Sequence, residues 1–157
     1  MFSIAAAVAI VDLATKQLAV TWLSHPIAIA PFFSLSLGFN AGISFGLFQA
    51  GSRSASMLLV LLAAGLTVVM GTLAWRSRHP VERVGFALII GGAVGNMIDR
   101  AADGRVTDFL DFHVGVWRWP TFNGADTAIT AGVALLLSVI VFGDRKPPQL
   151  NLNEPKD

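Results

Sequence analysis

The sequence predicts a membrane all-α fold: a four-transmembrane-helix bundle with a small extramembrane β-sheet between helices 1 and 2. Three observations carry that expectation. The apolar residues gather into four long blocks rather than scattering through the chain. Charged residues make up only 13% of it, about half the share usual in a soluble domain, and mean hydropathy is +0.66. Between the first two blocks the apolar residues alternate with polar ones, a period of two that suits a half-buried strand.

The first span is expected at about 2–23, where Ser24-His25-Pro26 stops it. Asp12 and Lys16 interrupt its apolar run and no basic segment precedes it, so it reads as a retained span rather than a cleaved leader. Residues 27–50 follow, with Phe33, Leu35, Leu37 and Phe39 alternating with Ser34, Ser36, Gly38 and Asn40 before Gly42 and Gly46 punctuate the stretch. This is the expected surface sheet. The second span, about 54–75, contains no charge. The third is expected at about 81–100 and the fourth at about 123–142, each near the ~20 residues that cross a bilayer. Residues 101–122 read as a polar connection whose Trp117 and Trp119 suit the membrane interface. One domain is expected over 1–143, followed by a cytoplasmic tail over 144–157.

Basic residues give the orientation. The short turn at 76–83 holds Arg76, Arg78 and Arg83, and the tail holds Arg145, Lys146 and Lys156; the other two connections share Arg53, Arg100, Arg105 and Arg118. The dense turn favours a cytoplasmic position. Both termini then lie in the cytoplasm, and the polar residues near the opposite helix ends face outward.

Several chemistries are disfavoured. With no cysteine, thiolate catalysis and a disulfide framework are excluded. His25, His79 and His113 lie far apart without ligand spacing, so neither a metal nor another cofactor is expected. A net charge of +1 offers nothing to nucleic acid.

The polar residues inside the blocks are the candidates for function. Asp12 and Lys16, one turn apart, read equally well as a structural ion pair or as part of an active site. Gly91 and Gly95 form a small-xxx-small pair that admits a neighbouring helix. Asn96, Asp99 and Arg100 share a face near the outer end of span three. For Asn96 and Arg100 mutual satisfaction between helices is the favoured reading, and Asp99 stays open. Asp126 lies three residues after Asn123, a plausible cap, so a capping box is one reading of that pair. Asp108 alone could be any loop aspartate. Yet Asp108 and Asp126 flank one short excursion at the outer face, and two apposed carboxylates sharing a proton can hydrolyse a peptide bond.

Taken in order, Asp12-x-x-x-Lys16, Asn40-x-Gly42, Gly95-Asn96-x-x-Asp99-Arg100, Val106-x-Asp108-Phe109 and Phe122-Asn123-x-Ala125-Asp126 resemble the motifs of lipoprotein signal peptidase, or signal peptidase II. The resemblance covers residues from about 10 to 142. It implies a bacterial inner-membrane aspartic endopeptidase that removes the signal peptide from diacylglyceryl-modified prolipoproteins, cutting before the lipid-modified cysteine. It implies Asp108 and Asp126 as the catalytic pair. It places Asn40, Gly42, Asn96, Asp99, Arg100, Asn123 and Ala125 around them, with Asp12 and Lys16 as the first-span pair. The expected partners are the precursor's signal peptide and membrane lipid, with the enzyme a monomer. A small transporter using Asp12, Lys16 and Asp99 as a relay would spread charge through the spans, but the second span has none. A helix-packing scaffold leaves the outward gathering of carboxylates unexplained.

Overall fold

The computed structural model describes residues 1–42 and 53–142. Its elements run α1 (Phe2–Trp22), β1 (Ile27–Ala30), β2 (Phe33–Asn40), α2 (Arg53–Arg76), α3 (Pro80–Asp103), β3 (Val106–Val114), β4 (Trp117–Arg118) and α4 (Gly124–Phe142). All four helices are long and apolar enough to cross a membrane. α3 is the hub, packing against each of the other three, and α1 also touches α4. α2 buries little beyond Ser56 and Ala74. Large apolar side chains such as Leu61, Leu66, Val68, Ile140 and Phe142 point outward, as suits a lipid solvent.

Local signals set the helix ends. Pro80 occupies the first turn of α3, where its missing N–H costs nothing. Ser77 Oγ accepts from the His79 N–H and donates to Glu82 Oε2 (3.2 and 2.6 Å). α3 runs past the expected Arg100 to Asp103 and stops at Gly104, whose φ of 73° is left-handed and whose N–H reaches Arg100 O.

The helices cross at very close range. Gly91 and Gly95 both lie against α1: a methyl added at Gly91 would stand 2.6 Å from Ala5 O, and one at Gly95 would strike Asp12 Oδ2. α3 and α4 meet through Gly85 and Gly132. A methyl at Gly132 would fall 2.6 Å from Gly85 O and 2.7 Å from Ile89 Cγ1. Backbone cannot yield as a flexible side chain can, so Gly132→Ala should destabilise the bundle by about 1–3 kcal/mol. Thermal melting in detergent checks this, and an unchanged melting temperature would contradict the close crossing.

The sheet is antiparallel, in the order β1-β2-β3-β4. The expectation for 27–50 holds for β1 and β2, while 43–50 lies outside the described residues, as does the tail from 143. The correction concerns 101–122. That stretch is not merely a connection, since it completes α3 and supplies β3 and β4. Its strand was obscured because Asp108 and Asp111 interrupt the apolar alternation, and its pairing partner lies far back in the chain. β2 and β3 pair from Phe33↔Phe112 to Asn40↔Val106, with a bulge that gives β2 one extra residue between Leu35↔Leu110 and Gly38↔Asp108. Such a bulge re-aims the side chains beyond it. Here it lies next to Asp108.

Candidate active site

The start of α4 is built by Asn123. Its Oδ1 accepts the Asp126 N–H (3.0 Å), and Asp126 Oδ2 accepts the Asn123 N–H (3.3 Å). This is a capping box with an amide at the cap and a short acid at the third helical position. The cap therefore fixes the Asp126 side chain. Just before it, Phe122 is tied to β3: the Phe109 and Leu110 N–H groups donate to Phe122 O, and the Phe122 N–H donates to Leu110 O. That bridge carries the head of α4 to the strand bearing Asp108.

Asn123, fully buried, links the two aspartates. Its Nδ2 faces Asp108 Oδ1 (2.7 Å), with Asn96 Oδ1 and Thr107 O farther off (3.2 and 3.3 Å). Asn96 Nδ2 donates to Asp126 Oδ1 (2.9 Å). Asn40, at the end of β2, accepts the Gly42 N–H through Oδ1 (3.1 Å), and its side chain also bonds Asp108. Asp108 is only 2% exposed, whereas Asp126 is half-buried. Burial, and then the nearby charge of Asp126, push the Asp108 carboxyl up from 3.8 to about 6, against the opposing bonds from Asn123 and Asn40. A concavity of about 290 Å³ lined by Phe39, Asn40, Ala41, Asp108, Pro120 and Thr121 opens beside it.

Behind the aspartates lies a second polar layer. Lys16 Nζ sits 2.8 Å from Asp12 Oδ2 and 3.5 Å from Asp99 Oδ2, and donates to Asn96 Oδ1 (2.8 Å). Asp12 and Lys16 are each 2% exposed. The two carboxylates reach onward to backbone. Asp99 Oδ2 accepts the Thr107 N–H (2.6 Å), and Asp12 Oδ1 accepts the Ala125 N–H (2.7 Å). Thr107 precedes Asp108, and Ala125 precedes Asp126. Each carboxylate thus holds the residue just ahead of one aspartate.

The structure gathers Asp12, Lys16, Asn40, Asn96, Asp99, Asp108, Asn123, Ala125 and Asp126 into one connected network, with Gly42 reached through Asn40. It corrects the favoured reading of Asn96 and Arg100, which are not hydrogen-bonded to each other among the described residues, and places the open Asp99 on Lys16 and the Thr107 N–H. α1, α4 and the start of β3 bring Asn96 and Asp99 better partners. Arg100 lies within electrostatic reach of Asp108, Asp126 and Asp99, and its buried Nε has no hydrogen-bond partner among the described residues. Sequence reasoning missed Thr107 and Phe122 as site-builders. They act through backbone atoms, which no residue type announces.

The sequence model of a family described as signal peptidase (SPase) II matches residues 4–142. A lipoprotein signal peptidase of Francisella tularensis subsp. novicida is 39% identical over 150 residues, covering 92% of this chain and 93% of the relative. One from Burkholderia mallei is 46% identical over 111 residues, 70% of this chain and 67% of the relative. Two solved structures of bacterial membrane enzymes, determined by the in meso method at 2.3 and 1.9 Å resolution, superpose with TM-scores of 0.79 and 0.78 at 25% identity. The first covers 98% of this chain and 92% of its own; the second covers 90% and 92%.

Proposed function

The chain belongs to the signal peptidase II family, and from that premise we propose that it removes signal peptides from diacylglyceryl-modified prolipoproteins with Asp108 and Asp126 as its catalytic pair. The observation that carries the assignment is the Asn123 bridge, which holds two carboxyl groups together beside a concavity. Asp108, the more buried, holds the proton, which leaves Asp126 the role of base. Asp126 takes a proton from water as its oxygen attacks the scissile carbonyl carbon, while the Asp108 proton goes to the carbonyl oxygen. Collapse of the tetrahedral intermediate returns a proton to Asp108 and breaks the C–N bond. The proton held by Asp126 passes to the leaving nitrogen. Arg100 Nε, buried and without a partner among the described residues, is a donor available to a substrate carbonyl.

The test is cleavage of a diacylglyceryl-modified precursor by the purified protein, read by mass. A product that begins at the modified cysteine is expected; an intact precursor, or a cut elsewhere, overturns the reading. The same assay gives a pH profile. The mechanism needs Asp108 protonated, and its carboxyl titrates at about 6. Rising pH removes that proton, so kcat/KM should fall above pH ~6. Bound substrate excludes more water, so the corresponding limb of kcat should lie higher. A kcat/KM that stays flat from pH 5 to 8 would contradict this assignment of the proton.

In the cell the site faces the outer side of the bacterial inner membrane, the enzyme acts as a monomer, and both termini are cytoplasmic. The arginines of the α2–α3 turn support this orientation. A reporter fused after Arg78 should read cytoplasmic and one inserted near Gly104 external. The reverse pattern would place the aspartates on the wrong side for this substrate.

A further inference from the structure

We propose that Lys16 is a positioning residue for the reaction, one ammonium on α1 that sets the geometry of both aspartates through two arms. The inference rests on the catalytic assignment of Asp108 and Asp126.

The first arm runs through Asn96. An ammonium can only donate, so the amide atom 2.8 Å from Lys16 Nζ must be oxygen. The Asn96 NH₂ is thereby directed to Asp126 Oδ1 (2.9 Å). Rotating that amide by half a turn would face two donors at Lys16 and two acceptors at Asp126. Asn123 is pinned independently, because its Oδ1 takes a backbone N–H and its NH₂ must then face Asp108. With Lys16 in place, both bridging amides have one orientation each.

The second arm runs through Asp99, which approaches Lys16 to 3.5 Å and accepts the Thr107 N–H one residue ahead of Asp108. Lys16 also offsets the charge of Asp12, which accepts the Ala125 N–H one residue ahead of Asp126. Among the described residues, the charged groups around the pair are Asp12 and Lys16 on α1, Asp99 and Arg100 on α3, Asp108 on β3 and Asp126 on α4. Lys16 alone among the described residues touches both carboxylates that hold those backbone positions. A purely structural ion pair would not need this arrangement, since Asp12 and Lys16 could satisfy each other within one turn of α1.

The experiment compares Lys16→Met with the double variant Asp12→Asn/Lys16→Met, measuring melting temperature, kcat and KM on a diacylglyceryl-modified precursor. The single variant removes the ammonium that faces the buried Asp12 and the half-buried Asp99, and should melt lower. The double variant returns the cluster to wild-type net charge, and an asparagine at 12 still accepts the Ala125 N–H, so it should melt within a few degrees of wild type. Both variants should lose roughly 100-fold or more in kcat, with KM changed less than about threefold. Recovery of kcat together with melting temperature in the double variant would reduce Lys16 to a structural role and overturn the proposal. So would a double variant that melts as low as the single one. Asp126→Asn runs alongside: if it retains cleavage, the catalytic assignment itself fails. If it is dead while the Lys16 variants keep wild-type kcat, only the positioning role fails.

Discussion

Asp108→Asn and Asp126→Asn, each introduced alone, will lower cleavage of a diacylglyceryl-modified precursor on the order of 10⁴-fold. Asparagine keeps the size and polarity of aspartate. At 126 it cannot take a proton from water, and at 108 it cannot supply one to the carbonyl oxygen. Combining the two should cost little more than either alone, because the pair works as one unit. The melting temperature should stay close to wild type. The amide introduced by Asp108→Asn can still accept from Asn123 through its own oxygen, and that of Asp126→Asn can accept from Asn96 or from the Asn123 N–H. Near-wild-type turnover in either variant would remove that residue from the chemistry, and Asp99 would be the next to test. Loss of activity together with collapse of melting would show only that the cap and the bridge are structural.

The second large effect concerns the substrate's lipid. Removing the diacylglyceryl group from a precursor should lower kcat/KM at least ~100-fold, with each buried CH₂ contributing ~0.8 kcal/mol. The walls near the site favour lipid. Leu18, Ala19, Trp22 and Leu23 of α1 and its end, with Ile27, Leu35 and Phe109 of the sheet, line a groove of about 450 Å³. Phe109 follows Asp108 directly. No charged side chain among the described residues lines that groove, so on the proposed function chain anchoring would set the depth of the scissile bond. Equal rates for lipidated and unlipidated precursor in the same detergent would sink this view.

The spans were legible because hydrophobic blocks of bilayer length need no partner to be recognised. Asp126 with Asn123 was legible as a cap, and the structure shows the cap and the site to be the same hydrogen bonds. The strand carrying Asp108 was not legible. Its two aspartates break the alternation, and it exists because β2, from a different connection, lies beside it with a bulge. The partners of Asn96 and Asp99 were hidden for a similar reason. Spacing on one helix shows which side chains share a face, but not what stands opposite. Arg100 was grouped with Asn96 and Asp99 on that basis, whereas α1 and the Thr107 N–H took its place.

The sheet is assembled from two separate connections, β1–β2 from the first and β3–β4 from the last. Donors to the aspartates come from α3, the end of β2 and the head of α4, and α1 steadies the residues ahead of them. The head of α4 is synthesised after α1, α2 and α3. On the proposed assignment, a chain whose synthesis has not reached Asp126 lacks one of the two carboxyls, however much of it has entered the bilayer. On that assignment, the order in which the ribosome delivers the segments keeps the nascent chain inactive until α4 is made.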